Sequence, residues 1–197
     1  MENMEMKSKI CPIEKHLKEI LIHWEAGDLP LLNLLTVRDN GVQLEVGIGH
    51  VVNSEQTFKL GDIITVEEMT KLFEKDVDIA VQNAHLLVKD YYKHPSHVRI
   101  VLCAMAFQFD FHGAKAFKGI LDAVDDCSYE EAAKLMVNSR WSLQTGRRCK
   151  SMARLMRGAS VCDREEDAIL APIPNEDEIG PEEQWEMING MRPRSQR

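Results

Sequence analysis

The apolar positions Ile13, Leu17, Ile20, Leu21 and Trp24 repeat at the spacing of one helix face, predicting a helix over Pro12 to Glu25. Pro12 suits a first helical position, and Gly27 and Pro30 end the run. From Leu31 the period changes. Leu34, Leu35 and Val37, then the turn Asp39-Asn40-Gly41, then Val42, Leu44 and Val46 predict two short strands of a hairpin. Gly47 and Gly49 bracket Ile48 in a tight bend, and Gly61-Asp62 marks another turn. Thr65-Val66-Glu67-Glu68 is a capping box that opens a helix through Met69, Leu72, Phe73, Val77 and Val81. Beyond it the pattern is helical throughout. A nearly all-apolar helix is expected over Val98 to Phe109, a shorter one over Ala116 to Val124, and an acid-led one over Tyr129 to Asn138. A basic amphipathic helix follows over Gly146 to Met156.

Short strands segregated from many helices define an α+β chain. The expected layout is one domain over residues 1–160: a small hairpin lobe at 27–64, a linking helix at 65–87, and a helical lobe at 88–160 joined by the first helix, 12–25. Residues 161–197, rich in acids and interrupted by prolines, are expected to form a flexible tail.

Composition narrows the class. The chain has 197 residues, 44% hydrophobic and 28% charged, which suits one ordinary domain or two small lobes. No run approaches the roughly 18 apolar residues of a membrane span. The start, Met1 to Ser8, lacks the layout of a signal peptide, so the expectation is residence in the cytoplasm, or release by another device. Cys11, Cys103, Cys127, Cys149 and Cys162 form no Cys-x-x-Cys pair and have no zinc-like histidine spacing. They read as reduced thiols, several of them in the core, and neither a metal nor another cofactor is expected.

Charge is uneven. Of the net −8, residues 161–197 carry −6, from ten acids and four arginines. Just upstream, Ala132 to Cys162 holds Lys134, Arg140, Arg147, Arg148, Lys150, Arg154 and Arg157 and no acid. Such a stretch favours a polyanion or is simply a solvated helix face. Nucleic-acid binding through Arg140 to Arg157 is disfavoured, because no recognised module is present and stacking aromatics are sparse.

Three acids cluster around the hairpin: Glu25, Asp39 and Glu45. Glycoside hydrolysis needs one protonated carboxyl for the leaving oxygen and a second carboxylate to activate water or attack directly. Acids of this kind are more often merely solvated, so the motifs must decide. Val46-Gly47-Ile48-Gly49-His50 resembles the Gly-x-Gly-His signature of the T-even phage lysozyme family. Ile64 to Asp78 resembles that family's linking helix, and Ala104-Met105-Ala106-Phe107-Gln108 its buried central helix. Ser139 to Thr145, with Arg148 following, resembles its Trp-bearing corner and cleft arginine. The matches run in order from about Glu25 to Ser160.

The resemblance implies a lysozyme-like fold with a sugar-binding cleft, and it implies roles. Glu25 is the general acid, with Asp28 as the alternative, and Asp39 is the second carboxylate, eleven residues before His50. His50 pairs with Asp76 as a structural lock, Arg148 neighbours the acid, and Gln108 hydrogen-bonds at the cleft. Trp141 is expected in the core. The chain also departs from the family. Glu45 replaces the threonine that helps hold the attacking water, so Glu45 becomes a candidate base or nucleophile and the stereochemical outcome stays open. The Glu25 to Asp39 interval is longer than usual, and Ala26 interrupts the Glu-Gly pair. The stretch from His50 to Ile64 is short, as in smaller phage endolysins, and the acidic tail has no counterpart.

The function so implied is a muramidase cleaving the bond between N-acetylmuramic acid and N-acetylglucosamine in peptidoglycan. A monomeric endolysin is expected, held in the host cytoplasm until release and then acting on the cell wall. The competing reading is a lysozyme-fold glycan- or protein-binding module with altered or lost catalysis.

Overall fold

A computed structural model describes residues 12–158. Helix α1 (Pro12–Ala26) is followed by α2 (Leu31–Leu35), strands β1 (Arg38–Asp39), β2 (Leu44–Val46) and β3 (His50–Val51), and helix α3 (Val66–His85). A 3₁₀ turn (Tyr91–Lys93) leads to α4 (Ser96–Lys115), α5 (Lys118–Asp125), α6 (Tyr129–Val137), α7 (Arg140–Thr145) and α8 (Arg147–Met156). The class is α+β. The acidic tail expected at 161–197 lies outside the described residues, as do Cys11 and Cys162. Among those described, Cys103 and Cys149 are buried free thiols and Cys127 is an exposed one. No described helix is long and apolar enough to cross a membrane.

Two compact units divide the described residues: 21–76 in one, 12–20 with 77–158 in the other. In the first, β1, β2 and β3 form an antiparallel sheet in sequence order. Arg38 faces Glu45 and Asp39 faces Leu44, while Glu45 faces Val51 and Val46 faces His50. Successive residues of a strand alternate faces. Arg38, Glu45 and Val51 therefore share one face, and Asp39, Leu44, Val46 and His50 the other. The second face is the core side, since Val46 and His50 are buried. The capping box forms as expected: the Glu68 N–H donates to Thr65 Oγ1 at 3.1 Å, and the Thr65 N–H donates to Glu68 Oε2 at 2.8 Å. The same contact, with the Thr65 hydroxyl, holds the Glu68 carboxyl below the usual carboxylate range.

Two local expectations are corrected. Leu34 and Leu35 belong to a helical turn, not to a strand. Pro30 precedes that turn, and its carbonyl accepts the N–H groups of Asn33 and Leu34 at 2.9 and 3.2 Å. Leucine forms helix readily, so a single turn outcompetes the strand pattern once Pro30 has bent the chain. The chain after the glycine bend also pairs back as β3, making three strands where a two-stranded hairpin was expected.

The second unit is built on apolar burial. Ile100, Val101, Leu102, Met105, Met136, Trp141, Met152 and Met156 are essentially inaccessible. Helix α8 packs on α4, α6 and α7, and α6 also packs on α5. Each large apolar side chain so buried contributes about 1.5–3 kcal/mol relative to exposure. Helix α4 breaks at Asp110 (φ 54, ψ −173), directly after the Phe109 end that its apolar run predicts. The Asp110 Oδ1 accepts the Gly113 N–H at 2.9 Å and so recaps the last turn.

Candidate active site

Six of the sequence-nominated acids and partners, Glu25, Asp28, Asp39, Glu45, His50 and Asp76, fall in the unit of residues 21–76. Gln108 and Arg148 fall in the other.

Glu25 sits one residue before the end of α1. Gly27, at φ +49, stops the helix there by donating its N–H to the carbonyl of His23 at 3.1 Å. The glycine bend then explains itself residue by residue. Gly47 has φ +67, and its N–H reaches the Leu34 carbonyl at 2.7 Å. A Cβ at Gly47 would lie 3.0 Å from Met69 Cγ. Gly49 has φ +74, and a Cβ there would lie 3.2 Å from both Cδ and Oε2 of Glu25. The carboxyl of half-buried Glu25 therefore rests directly on the Gly49 backbone. Both glycines are needed for two independent reasons, a left-handed φ and a close neighbour. Between them Ile48 is buried as a plug. Asp28, the alternative acid, is exposed beyond the end of α1.

His50 follows the bend and is buried. Its Nδ1 lies 2.7 Å from Asp76 Oδ2 on α3, and its Nε2 lies 2.9 Å from Gln56 Nε2. The Gln56 Oε1 also accepts the Asn53 N–H at 3.0 Å, which orients the amide. In the neutral ring Nδ1–H thus donates to Asp76 while Nε2 accepts from Gln56. The hydrogen bond to Asp76 raises the His50 pKa against the opposing effect of burial. This geometry fastens β3 to α3 and leaves both ring nitrogens engaged.

Asp39 and Glu45 occupy different environments. Asp39 is exposed at the end of β1, and its Oδ1 accepts the Gly41 N–H at 2.8 Å. Glu45 is half-buried and engaged at both oxygens. Oε1 is 3.0 Å from Arg38 Nη2, and Oε2 accepts from Asn40 Nδ2 at 2.9 Å. By register the two carboxylates leave the sheet on opposite faces, so they are not interchangeable occupants of one position.

In the other unit, the Trp141 indole N–H donates to Gln108 Oε1 at 2.8 Å. Trp141 is fully buried and meets the Phe109 ring edge-to-face at 5.7 Å, so it is a core residue, as expected. Gln108 satisfies that indole inside its own unit. Arg148 is buried, and Ser139 caps α7 by accepting the Trp141 N–H.

Arg38, Asn40 and Gln56 were not nominated from the sequence. Arg38 and Asn40 could have been found from the Asp39-Asn40-Gly41 turn. Asn40 Oδ1 accepts the N–H groups of Val42 and Gln43, and the resulting loop length sets Arg38 opposite Glu45. Gln56 carries no sequence signal beyond its place in a polar loop. Among the described residues no group of histidine, cysteine and carboxylate side chains is arranged to hold a metal ion.

A small antiparallel sheet, a Gly-x-Gly-His bend seated on a helix-terminal glutamate, and a capped helix bearing the histidine's aspartate are consistent with a lysozyme-like α+β fold. Comparison with known proteins points the same way: the chain is similar to two proteins named as T4-type lysozymes. It is 34% identical over 110 residues to "Probable T4-type lysozyme 1" of Dictyostelium discoideum, covering 54% of this chain and 64% of that protein. It is 32% identical over 108 residues to "Probable T4-type lysozyme 2" of the same organism, covering 53% and 62%. The chain thus spans less than two thirds of either relative. No family model matches it.

Proposed function

We propose that the chain is a glycoside hydrolase that cleaves the N-acetylmuramic acid to N-acetylglucosamine bond of peptidoglycan. The observation that carries this reading is the half-buried Glu25 carboxyl resting on Gly49 at the end of α1. Glu25 gives its proton to the glycosidic oxygen as the bond to the anomeric carbon breaks. Asp39 takes a proton from the water that attacks that carbon. Its exposure supports this role. Glu45 has both oxygens engaged, by Arg38 and Asn40, and is less free to receive the water.

The same pairing of Glu45 favours the second reading, a glycan-binding module whose hydrolysis has been lost. One experiment separates the two: mass analysis of fragments released from peptidoglycan by wild-type, Asp39→Asn and Glu45→Thr proteins. The hydrolase reading expects muramic acid reducing ends from wild-type and Glu45→Thr, and at least a hundredfold less from Asp39→Asn, the lower end of the range for a general base. Loss with Glu45→Thr and retention with Asp39→Asn would transfer the base role to Glu45. Binding without release by either wild-type or Glu45→Thr would establish the module.

A further inference from the structure

Helix α8 has two opposed faces. Arg148, Cys149, Ser151, Met152, Ala153, Leu155 and Met156 are buried. The exposed positions are Arg147, Lys150, Arg154 and Arg157, at three- and four-residue intervals, so the entire solvent stripe is cationic. The stretch 132–162 supplies no acid to balance it. From the neighbouring helix α6, Glu130 reaches Arg157 at 3.3 Å, while Glu131 lies 3.9 Å from Lys134. Arg147 and Lys150 form no ion pair with a described carboxylate. Like charges at this spacing repel one another, and the stripe is stabilised by an anionic cover.

The chain carries an acidic segment immediately downstream. Asp163-Arg164-Glu165-Glu166-Asp167 holds four acids and one arginine, starting five residues after Gly158. Gly158 ends the described chain at φ +70, and its N–H donates to the Leu155 carbonyl at 2.9 Å. A Cβ there would lie 3.2 Å from His97 Nε2, so the exit point is fixed against α4. A left-handed residue at a helix C-terminus turns the following chain off the axis. The stripe from Arg147 to Arg157 is about 15 Å long, and residues 159–163, extended, reach about 17 Å. The acids are therefore within tether length of every cation on the stripe.

We propose that the cationic stripe of α8 is the docking surface for the chain's own acidic segment 163–167, which covers it and excludes other polyanions. A tether this short gives an effective concentration on the order of millimolar or above, so even a weak ionic contact is mostly formed. Salt releases the cover as the screening length shrinks, from about 10 Å at 0.1 M to about 3 Å at 1 M. Nothing in this depends on whether the chain cleaves glycan.

The test uses full-length protein and heparin as a defined polyanion. One variant neutralises the segment: Asp163→Asn, Glu165→Gln, Glu166→Gln and Asp167→Asn together. A control variant neutralises four exposed acids elsewhere: Glu55→Gln, Glu74→Gln, Asp78→Asn and Asp126→Asn. Both change net charge equally. The expected result is heparin affinity about tenfold higher than wild-type for the segment variant, and a clearly smaller gain for the control. Carbodiimide coupling should also join Lys150 to a carboxylate of 163–167 at low salt and not at 1 M salt. Equal gains in the two variants, or no Lys150 coupling to that segment, would overturn the proposal. So would wild-type heparin binding as tight as that of the segment variant, which would make the stripe a surface for external polyanions.

Discussion

The unit of residues 21–76 and the helical unit of residues 12–20 and 77–158 hold themselves together by different means. The helical unit buries large apolar side chains on all its described helices, and its polar interior includes a few satisfied pairs such as Trp141 with Gln108 and Tyr91 with Cys103. Burial raises the Cys103 thiol to about 11 and moves Tyr91 in the same direction, which makes both inert. The sheet unit exposes Leu32, Val42, Leu60 and Ile63 by more than 60% each, so apolar burial does less there. Its geometry comes from directional contacts: Glu25 on Gly49, His50 to Asp76, Glu45 to Arg38, Thr65 with Glu68. The difference separates stability from chemistry. The helical unit buries the larger apolar set, and the unit of residues 21–76 places the carboxylates.

That contrast can be broken at either end. Trp141→Ala should cost about 3–5 kcal/mol, the range for truncating a fully buried aromatic, read as a shift in the urea midpoint. A cost under 1 kcal/mol would mean that the helical unit is not governed by burial. Asp76→Asn should cost about 1.5–3 kcal/mol, as for a charged hydrogen bond. Its penalty depends on pH. The folded pKa of His50 is raised, so the pair's charge-linked stability is fully present below the unfolded value near 6.5. It is lost as pH rises through the folded value. Chemical denaturation of wild-type and Asp76→Asn should therefore differ more at about pH 5.5 than at about pH 8.5, and the reverse order would remove the lock. Gly49→Ala forces a left-handed alanine and pushes on the Glu25 carboxyl. It should cost about 1–2 kcal/mol in stability yet lower activity further than that loss explains. Thr65→Ala removes one side of the capping box and should cost about 1 kcal/mol with activity unchanged, which a melting curve and a rate measure together.

What the sequence made legible follows the same division. The periodic runs behind α1, α3, α4 and α8 could be read because long amphipathic or apolar segments satisfy one period over several turns. The capping box at Thr65 and the stop at Gly27 are local chemistry, visible without tertiary context. Helix α2 was not legible: five residues give no period, and Pro30 decided the matter through backbone hydrogen bonds. The roles of the nominated carboxylates, and the pairing of His50 with Asp76, came with the family resemblance, whereas the partners of Glu45 did not. The Glu45 to Arg38 pair depends on hairpin register, which is fixed only when the Asn40 turn is seen to span four residues. The stacking of Glu25 on Gly49 joins residues far apart in the chain, and no local pattern reports it.

The account stands most directly on Glu25 as proton donor. Release of reducing ends from peptidoglycan should be measured for wild-type and Glu25→Gln, with thermal unfolding of both in parallel. The account predicts a fall of at least about a hundredfold in rate at an almost unchanged melting temperature. A Glu25→Gln protein that keeps the wild-type rate while folded would contradict it.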